Sequence, residues 1–490
     1  MSGAEPHSPG LRSSRPRRSS RSLEILVLVQ FVGLIVFTSW AFGGQAPWVR
    51  QGMAAWGAVG VLLFLIACWM RPKPAGERLH PAVRCLWPLL LYNLVVGVSC
   101  FNPSFKDAVI AGEPSLVMGD PNPWLPSSAR PLLTLKELWL FDVIVLSCFN
   151  LNLVLHGRRL VRVVLFILGG NAVALAIFGT FQKLSGASGL WFGLVPSPNP
   201  KFFSTFVYHN HWGAFTLLNT AGCLALLYHY VRRGGDRDFW HSPVLLGALA
   251  TLLLAATIPL SASRSCTVLI TCLLGGSLVH FLARLIRRQR ELHESIAAPI
   301  AGIILAAVLA TAAIAYLGRD VIAQRARLTS QQLSQIARED TLNSRLALYR
   351  DTWRMAAEKP WFGWGLDSYP HVFRIFNTQR TTESWWWIPF YAKAHNDWLQ
   401  SLAEVGFVGT GLLALLVLVP LFSVRWRQVE STLPRYLLAG DALVLLYAWV
   451  EFPFANPAVM LTFCAMFYCA IRYATLELRA RQDEPRDHAQ

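Results

Sequence analysis

Apolar residues in this chain gather into blocks of about 20, the length a helix needs to cross about 30 Å of hydrocarbon, with polar stretches between them. Blocks near 24–42, 52–70, 84–101, 138–156, 160–181, 212–230, 243–261, 266–283, 297–317, 398–422, 436–453 and 456–473 predict twelve spanning helices. One polar interval stands out. Residues 318–397 far exceed the usual helix–helix link of about two to eight residues, which predicts a functional loop or a small subdomain. Within it, Asp340 is placed to cap a helix over 341–358, where Leu342, Leu346, Tyr349 and Trp353 recur at helical spacing. Pro360, Gly363 and Gly365 end that helix. Trp385, Trp386 and Trp387 follow, a cluster suited to the membrane–water interface, which lays the loop back on the bilayer.

Composition supports the same picture: 15% of residues are charged, 54% are hydrophobic, and mean hydropathy is +0.40. A soluble chain of this length needs more charge to cover its surface. The net charge of +16 would suggest nucleic acid if it formed a stripe. Instead, Lys and Arg sit in short clusters between apolar blocks, the pattern of membrane topology, so nucleic acid is not an expected partner. With the N-terminus inside, every short inside segment is basic and both termini are cytoplasmic; the outside holds 43–51, 102–137, 182–211 and 318–397. The expected organisation is a disordered basic tail at 1–22, spans one to nine over 23–317, the large loop at 318–397, three more spans over 398–475, and a tail at 476–490. The first apolar run reads as a span rather than a cleaved signal peptide. The nine cysteines lie in or beside apolar blocks with no CxxC, and read as packing residues.

Several polar islands sit at the outer ends of spans. His395, in Lys393-Ala-His395-Asn396-Asp397, lies where the long loop re-enters the membrane. Its imidazole can take a proton from a hydroxyl near neutral pH, with Asp397 or Asn396 to orient it; alternatively Asn396 or Asp397 caps the next helix. Arg264, in Ser261-Ala-Ser263-Arg264-Ser265, sits at a junction of two spans, where its planar donors suit a phosphate or simply snorkel to the interface. Arg345 flanks the apolar stripe of the loop helix, with Arg338 two turns earlier, a pair that could hold a diphosphate or stay solvated. Asn210, in Tyr208-His209-Asn210-His211, either caps the following span or contacts a sugar or phosphate; the two histidines without an acidic neighbour make a poor metal site. Trp361 to Pro370 forms a glycine turn with aromatics and Asp367, able to meet sugar rings or to pack the loop. The sequence has no P-loop, dinucleotide fingerprint or HExxH motif.

Taken in order, these pieces resemble the O-antigen ligase and polymerase family of bacterial polysaccharide assembly. The likeness is carried by Ser261-Ala-Ser263-Arg264-Ser265, the Arg345 helix with Glu358-Lys-Pro360-Trp-Phe-Gly363-Trp-Gly365, and His395-Asn396-Asp397-Trp-Leu-Gln400 with Glu404-Val-Gly406-Phe-Val-Gly409. Phe206 to Trp212 matches a polar segment ahead of a mid-chain span. The resemblance covers roughly 200–415 and implies an all-α polytopic membrane protein of about twelve transmembrane helices, GT-C-like, with a large helical periplasmic loop. It implies a cofactor-free, metal-independent glycosyltransferase of the inner membrane, acting at the periplasmic face on a glycan carried by undecaprenyl diphosphate. His395 would activate the acceptor hydroxyl; Arg264, Arg345 and Arg338 would bind the diphosphate; Asn210 and Asp397 would contact substrate. The acceptor would be lipid A–core for a ligase, a growing glycan for a polymerase, or a protein side chain for an oligosaccharyltransferase. A transporter of lipid-linked intermediates is the alternative of a different class, and it predicts ionisable residues near the midplane and broken spans.

Overall fold

The computed structural model describes residues 18–70, 80–110, 112–233, 243–292, 301–302, 312, 340–379 and 390–482. The chain is an all-α polytopic membrane protein. Its long helices are α1 (Arg18–Trp40), α2 (Pro47–Met70), α4 (Trp87–Ser99, after the one-turn α3 at Pro81–Arg84), α5 (Pro131–Val154) and α6 (Arg158–Leu184). They continue as α7 (His209–Arg233), α8 (Pro243–Ser261), α9 (Arg264–Leu292), α12 (Asp397–Phe422), α13 (Leu433–Tyr447) and α14 (Pro457–Gln482). The long loop contributes α10 (Asp340–Glu358) and α11 (Tyr369–Phe376). Among the described residues, nine helices are long and apolar enough to cross a membrane. The expected span at 138–156 is also helical, as α5, whereas that at 436–453 is helical only to Tyr447, the end of α13, so its last six residues form the turn that carries Glu451. The span expected at 297–317, the tryptophans 385–387 and Arg338 lie outside the described residues, apart from 301–302 and 312.

Two differences from the sequence reading are local. Helix α1 begins at Arg18 and so takes in the last five residues of the expected tail, and α14 runs on to Gln482. The stretch 102–137 contains an antiparallel hairpin, β1 (Phe105–Ile110) paired with β2 (Glu113–Met118). Gly112 takes φ 85° at its turn, a conformation glycine adopts without steric cost. Pro114 fits because a two-stranded sheet has only edge strands.

Helices α5 and α7 form the centre of the bundle. From Val143 onward nearly every residue of α5 is buried, against α2, α1 and α14. Helix α7 is enclosed by α6, α8, α13 and α14. Small residues permit the close approaches: a Cβ at Gly57 would fall 2.4 Å from Val143 Cβ, and one at Gly440 2.6 Å from Ala221 Cβ. Two buried amides reach across helices, as Gln30 Nε2 donates to Ser147 Oγ at 3.0 Å and Asn150 Nδ2 to the Gly60 carbonyl at 2.8 Å.

The long loop has its own small core of Leu348, Met355, Trp364, Tyr369, Val372 and Phe373. The expected stripe on α10 does not build it. Leu346 and Trp353 are exposed, while Leu348, Asp351, Thr352 and Met355 face inward. Asp351 can be buried there because its carboxylate accepts from Thr378 N–H and O–H, both at 2.8 Å.

That unit is keyed into a break in α12. Gly406 has φ 65° and ψ −170°, outside the helix, and interrupts the hydrogen-bond ladder. The chain from 360 to 365 completes it. Trp364 N–H donates to the Ala403 carbonyl at 3.0 Å and Gly365 N–H to the Glu404 carbonyl at 2.8 Å. In return Phe407 N–H reaches the Pro360 carbonyl at 2.7 Å and Val408 N–H the Trp361 carbonyl at 3.1 Å. A Cβ at Gly363 would lie 2.4 Å from Glu404 backbone, and one at Gly406 2.4 Å from Trp361 backbone. The glycine turn and the Glu404-to-Gly409 segment are two halves of one joint. The Glu404 carboxylate adds to it, accepting from Asp367 N–H at 3.1 Å and Tyr369 N–H at 3.3 Å.

Candidate active site

The joint brings the end of the long loop over one end of the bundle. His395 sits between loop and span with φ 52°, a left-handed backbone that histidine adopts more readily than most residues. The turn is fixed on both sides. Before the span, Tyr349 O–H on α10 donates to the His395 carbonyl at 2.9 Å. After it, Asn396 is extended (φ −162°) and caps α12, its Oδ1 accepting from Leu399 N–H at 2.9 Å.

The imidazole faces Glu451, which follows α13. Glu451 Oε2 stands 3.4 Å from His395 Nδ1, and Oε1 stands 3.4 Å from Arg345 Nη2. Asn210 Nδ2 donates to the same Oε1 at 2.9 Å and to Tyr208 Oη at 2.8 Å, while Tyr208 O–H reaches Oε2 at 3.3 Å. Glu451 is 3% exposed, so its carboxylate is met by these donors rather than by bulk water. Phe452 supplies the floor: Tyr208 stacks on it at 5.3 Å, and the His395 ring meets its face edge-on at 4.7 Å. Burial, then the negative charge of Glu451, raises the Tyr208 phenol above its ordinary range, which keeps it a neutral donor.

The arrangement sets the roles of individual atoms. A carboxylate is acceptor-only, so His395 Nδ1 carries the proton it shares with Glu451. In the neutral ring that arrangement places the lone pair on Nε2, and the side chain is 31% exposed. Arg345 is half exposed and holds Glu451 through one nitrogen, leaving other guanidinium donors for an anion.

The expected residues fall in three places. His395, Arg345 and Asn210 converge on one carboxylate. Asn210 is not an N-cap, because α7 already begins at His209 and its amide turns to Glu451. Arg264 is the first residue of α9, exposed, following Ala262 at φ 70°. Its junction packs on the start of α7 beside the Glu451 cluster, since a Cβ at Gly213 would lie 2.7 Å from Cys266 Sγ and 3.1 Å from Ser263 Oγ. Asp397 does not orient His395. Its Oδ2 accepts from Phe454 N–H at 2.9 Å, tying α12 to the turn before α14. His211 is structural as well, held between Gln45 Nε2 at 3.1 Å and the Phe452 carbonyl at 3.2 Å.

Sequence reasoning missed Glu451, the hub, together with Tyr208 and Tyr349. Glu451 falls near the end of the span expected at 436–453. The available signal was a lone acid between Val450 and Phe452 at the end of an apolar run.

Residues 249–414, about a third of the chain, match the family model described as O-antigen ligase. The matched stretch runs from α8 into α12 and contains Arg264, Arg345, His395 and Asp397, whereas Tyr208, Asn210 and Glu451 lie outside it. No curated protein matches the chain.

Proposed function

We propose, for a chain whose central domain belongs to the O-antigen ligase family, that the Glu451 cluster transfers a glycan from a lipid diphosphate to an acceptor hydroxyl. The donor in this reading is a glycan on undecaprenyl diphosphate, and the enzyme works at the periplasmic face of the bacterial inner membrane with both termini cytoplasmic. Sidedness rests on the short connections at the far end of the bundle, which carry Arg158, Arg159, Arg232, Arg233, Arg425 and Arg427.

The observation that carries the reading is one buried carboxylate shared by His395 and Arg345. Glu451 holds His395 with its proton on Nδ1, and Nε2 removes the proton of the acceptor hydroxyl as that oxygen attacks the anomeric carbon. The bond from that carbon to the diphosphate oxygen breaks, and the diphosphate leaves with the electron pair. Guanidinium groups of Arg345 and Arg264, rather than a metal ion, meet the growing negative charge. Glu451 then stabilises the imidazolium, a role for a buried acid beside a general base. Tyr349 and the Asn396 cap fix the backbone that aims the ring, so less reorganisation accompanies reaction. Arg338, lying on the same loop, is proposed to add to the anion site. A ligase is favoured slightly over a polymerase, with the acceptor being lipid A–core or a growing glycan.

His395→Ala should abolish transfer in vesicles supplied with lipid-linked glycan while leaving membrane insertion unchanged. Full activity of that variant would refute the assignment of the base. In a deletion strain, accumulated full-length carrier glycan marks a ligase, and accumulated single repeat units mark a polymerase.

A further inference from the structure

Helices α7, α9 and α13 reach the outer site at one end, through Asn210, Arg264 and the turn that carries Glu451. At their other end the same three helices bring together Tyr228, His280 and Tyr436, which the transfer chemistry does not use. Tyr228 is the middle ring, stacked on His280 at 5.0 Å and on Tyr436 at 4.7 Å. Its hydroxyl donates to the Ser277 carbonyl on α9, and His280 Nδ1 shares a proton with the Tyr436 hydroxyl across 2.9 Å. Tyr228 and Tyr436 are buried, so they form a fixed floor between the helices.

Two arginines stand beside that floor. Arg284 lies one turn beyond His280 on α9, and Arg435 precedes Tyr436 in the first turn of α13. Both guanidinium groups are close enough to His280 to act on its ring electrostatically. Arg284 is half-buried and makes no ion pair among the described residues. Arg435 is exposed and gives one nitrogen to the Val429 carbonyl at 2.7 Å, while the neighbouring Glu430 is taken by Arg481 at 2.7 Å. Each arginine therefore keeps donors for an anion. Their depth is fixed by α9 itself. Arg264 and Arg284 are 20 residues apart on one helix, about 30 Å at 1.5 Å per residue, which is the thickness of the hydrocarbon. With Arg264 at one surface of the bilayer, Arg284 is level with the phosphates of the opposite leaflet.

We propose that this end of α9 and α13 binds the phosphate of an anionic phospholipid. Arg284 and Arg435 clamp the phosphate from two helices. The Tyr436 hydroxyl donates to His280 Nδ1, so His280 Nε2 carries a proton and adds a neutral donor. Basic pockets between spanning helices at headgroup depth suit such lipids. Charge selects among them: phosphatidylglycerol is a net anion, whereas the ammonium of phosphatidylethanolamine is repelled by the guanidinium groups. The site is independent of the transfer reading; only the assignment of its leaflet as cytoplasmic rests on the orientation proposed above.

The test uses the full chain in detergent, weighed intact by native mass spectrometry after addition of phosphatidylglycerol or phosphatidylethanolamine with identical acyl chains. Phosphatidylglycerol should bind about tenfold more tightly, and the double variant Arg284→Gln, Arg435→Gln should lose that preference. Arg290→Gln, on another face of α9, should keep it. Equal binding of the two lipids overturns the proposal, as does a preference that survives in the double variant or disappears in Arg290→Gln. Displacement of the lipid by millimolar inorganic phosphate also overturns it, by making free phosphate the ligand. Should the double variant fail to fold, phosphatidylglycerol with a photoreactive headgroup decides on the unaltered protein: it should label 280–288 or 432–436, and labelling confined to other segments overturns the proposal. Binding is read without turnover, so its outcome and that of the His395 assignment are separate.

Discussion

At the scale of single residues, the site depends on one acid holding two partners of different kinds. Glu451→Gln keeps the size of the side chain and removes its charge, so it tests orientation apart from packing. Transfer should fall by about 10²-fold or more, because a neutral amide can present its N–H to His395 and invert the ring's proton arrangement. Steady-state rates over a range of pH would check this; an unchanged rate and profile would exclude Glu451 from the machinery. The sequence made His395 and Arg345 visible as polar islands beside apolar blocks. It could not reveal their common partner, which lies 56 and 106 residues further along and is joined to them only by the fold. Asn210 shows the same limit: a cap and a carboxylate ligand look alike until the helix start is placed.

At the scale of elements, the joint between the 360–365 turn and α12 is held by four backbone hydrogen bonds and two glycines with no room for a side chain. Gly406→Ala would place a Cβ 2.4 Å from Trp361 backbone in a conformation that is essentially restricted to glycine. A loss of about 1–3 kcal/mol from the backbone alone is expected, with more from the clash, read as a lower midpoint of thermal unfolding in detergent. A normal midpoint would show that the turn and the helix separate at no cost. Lys359 gives a second handle on the same unit. Its ammonium lies 4.2 Å from the centre of the Trp364 ring and donates to Ser104 and Ser127, both at 2.8 Å; burial lowers its pKa to about 8. Between pH 8 and the ordinary lysine range near 10.5, the undocked loop holds a proton that the docked loop has released. Docking should therefore strengthen as pH rises through that window, measured as slower proteolysis of the loop, and Lys359→Met should remove the dependence. Helix α10 itself was legible from its stop before Pro360, although it already includes Asp340, the expected cap. Its buried face was not, because Asp351 and Thr352 are polar residues whose partners in 369–378 lie beyond the helix, and the conspicuous leucine and tryptophan point outward.

At the scale of the whole molecule, the alternation of apolar blocks with basic connections was enough to find the helices of the described residues, because the bilayer imposes its length on each span. The same regularity hid the hairpin at 105–118, a polar excursion with no periodic signal of its own. In a variant stripped of native cysteines, a membrane-impermeant maleimide applied to spheroplasts should label Trp124→Cys but not Arg427→Cys. The opposite pattern would invert the proposed orientation and move the Glu451 cluster to the cytoplasm.

The break at Gly406 also has a consequence for assembly. An uninterrupted helix satisfies its backbone within itself and can enter lipid alone. Helix α12 cannot, because the carbonyls of Ala403 and Glu404 and the N–H groups of Phe407 and Val408 find their partners in residues 360–365. Left unpaired in hydrocarbon, each would cost several kcal/mol. The ribosome delivers the turn before it delivers the helix, so the missing partner is already synthesised when α12 emerges. Insertion of this span and docking of the loop beside it are consequently coupled, and His395 between them is positioned as the protein is made.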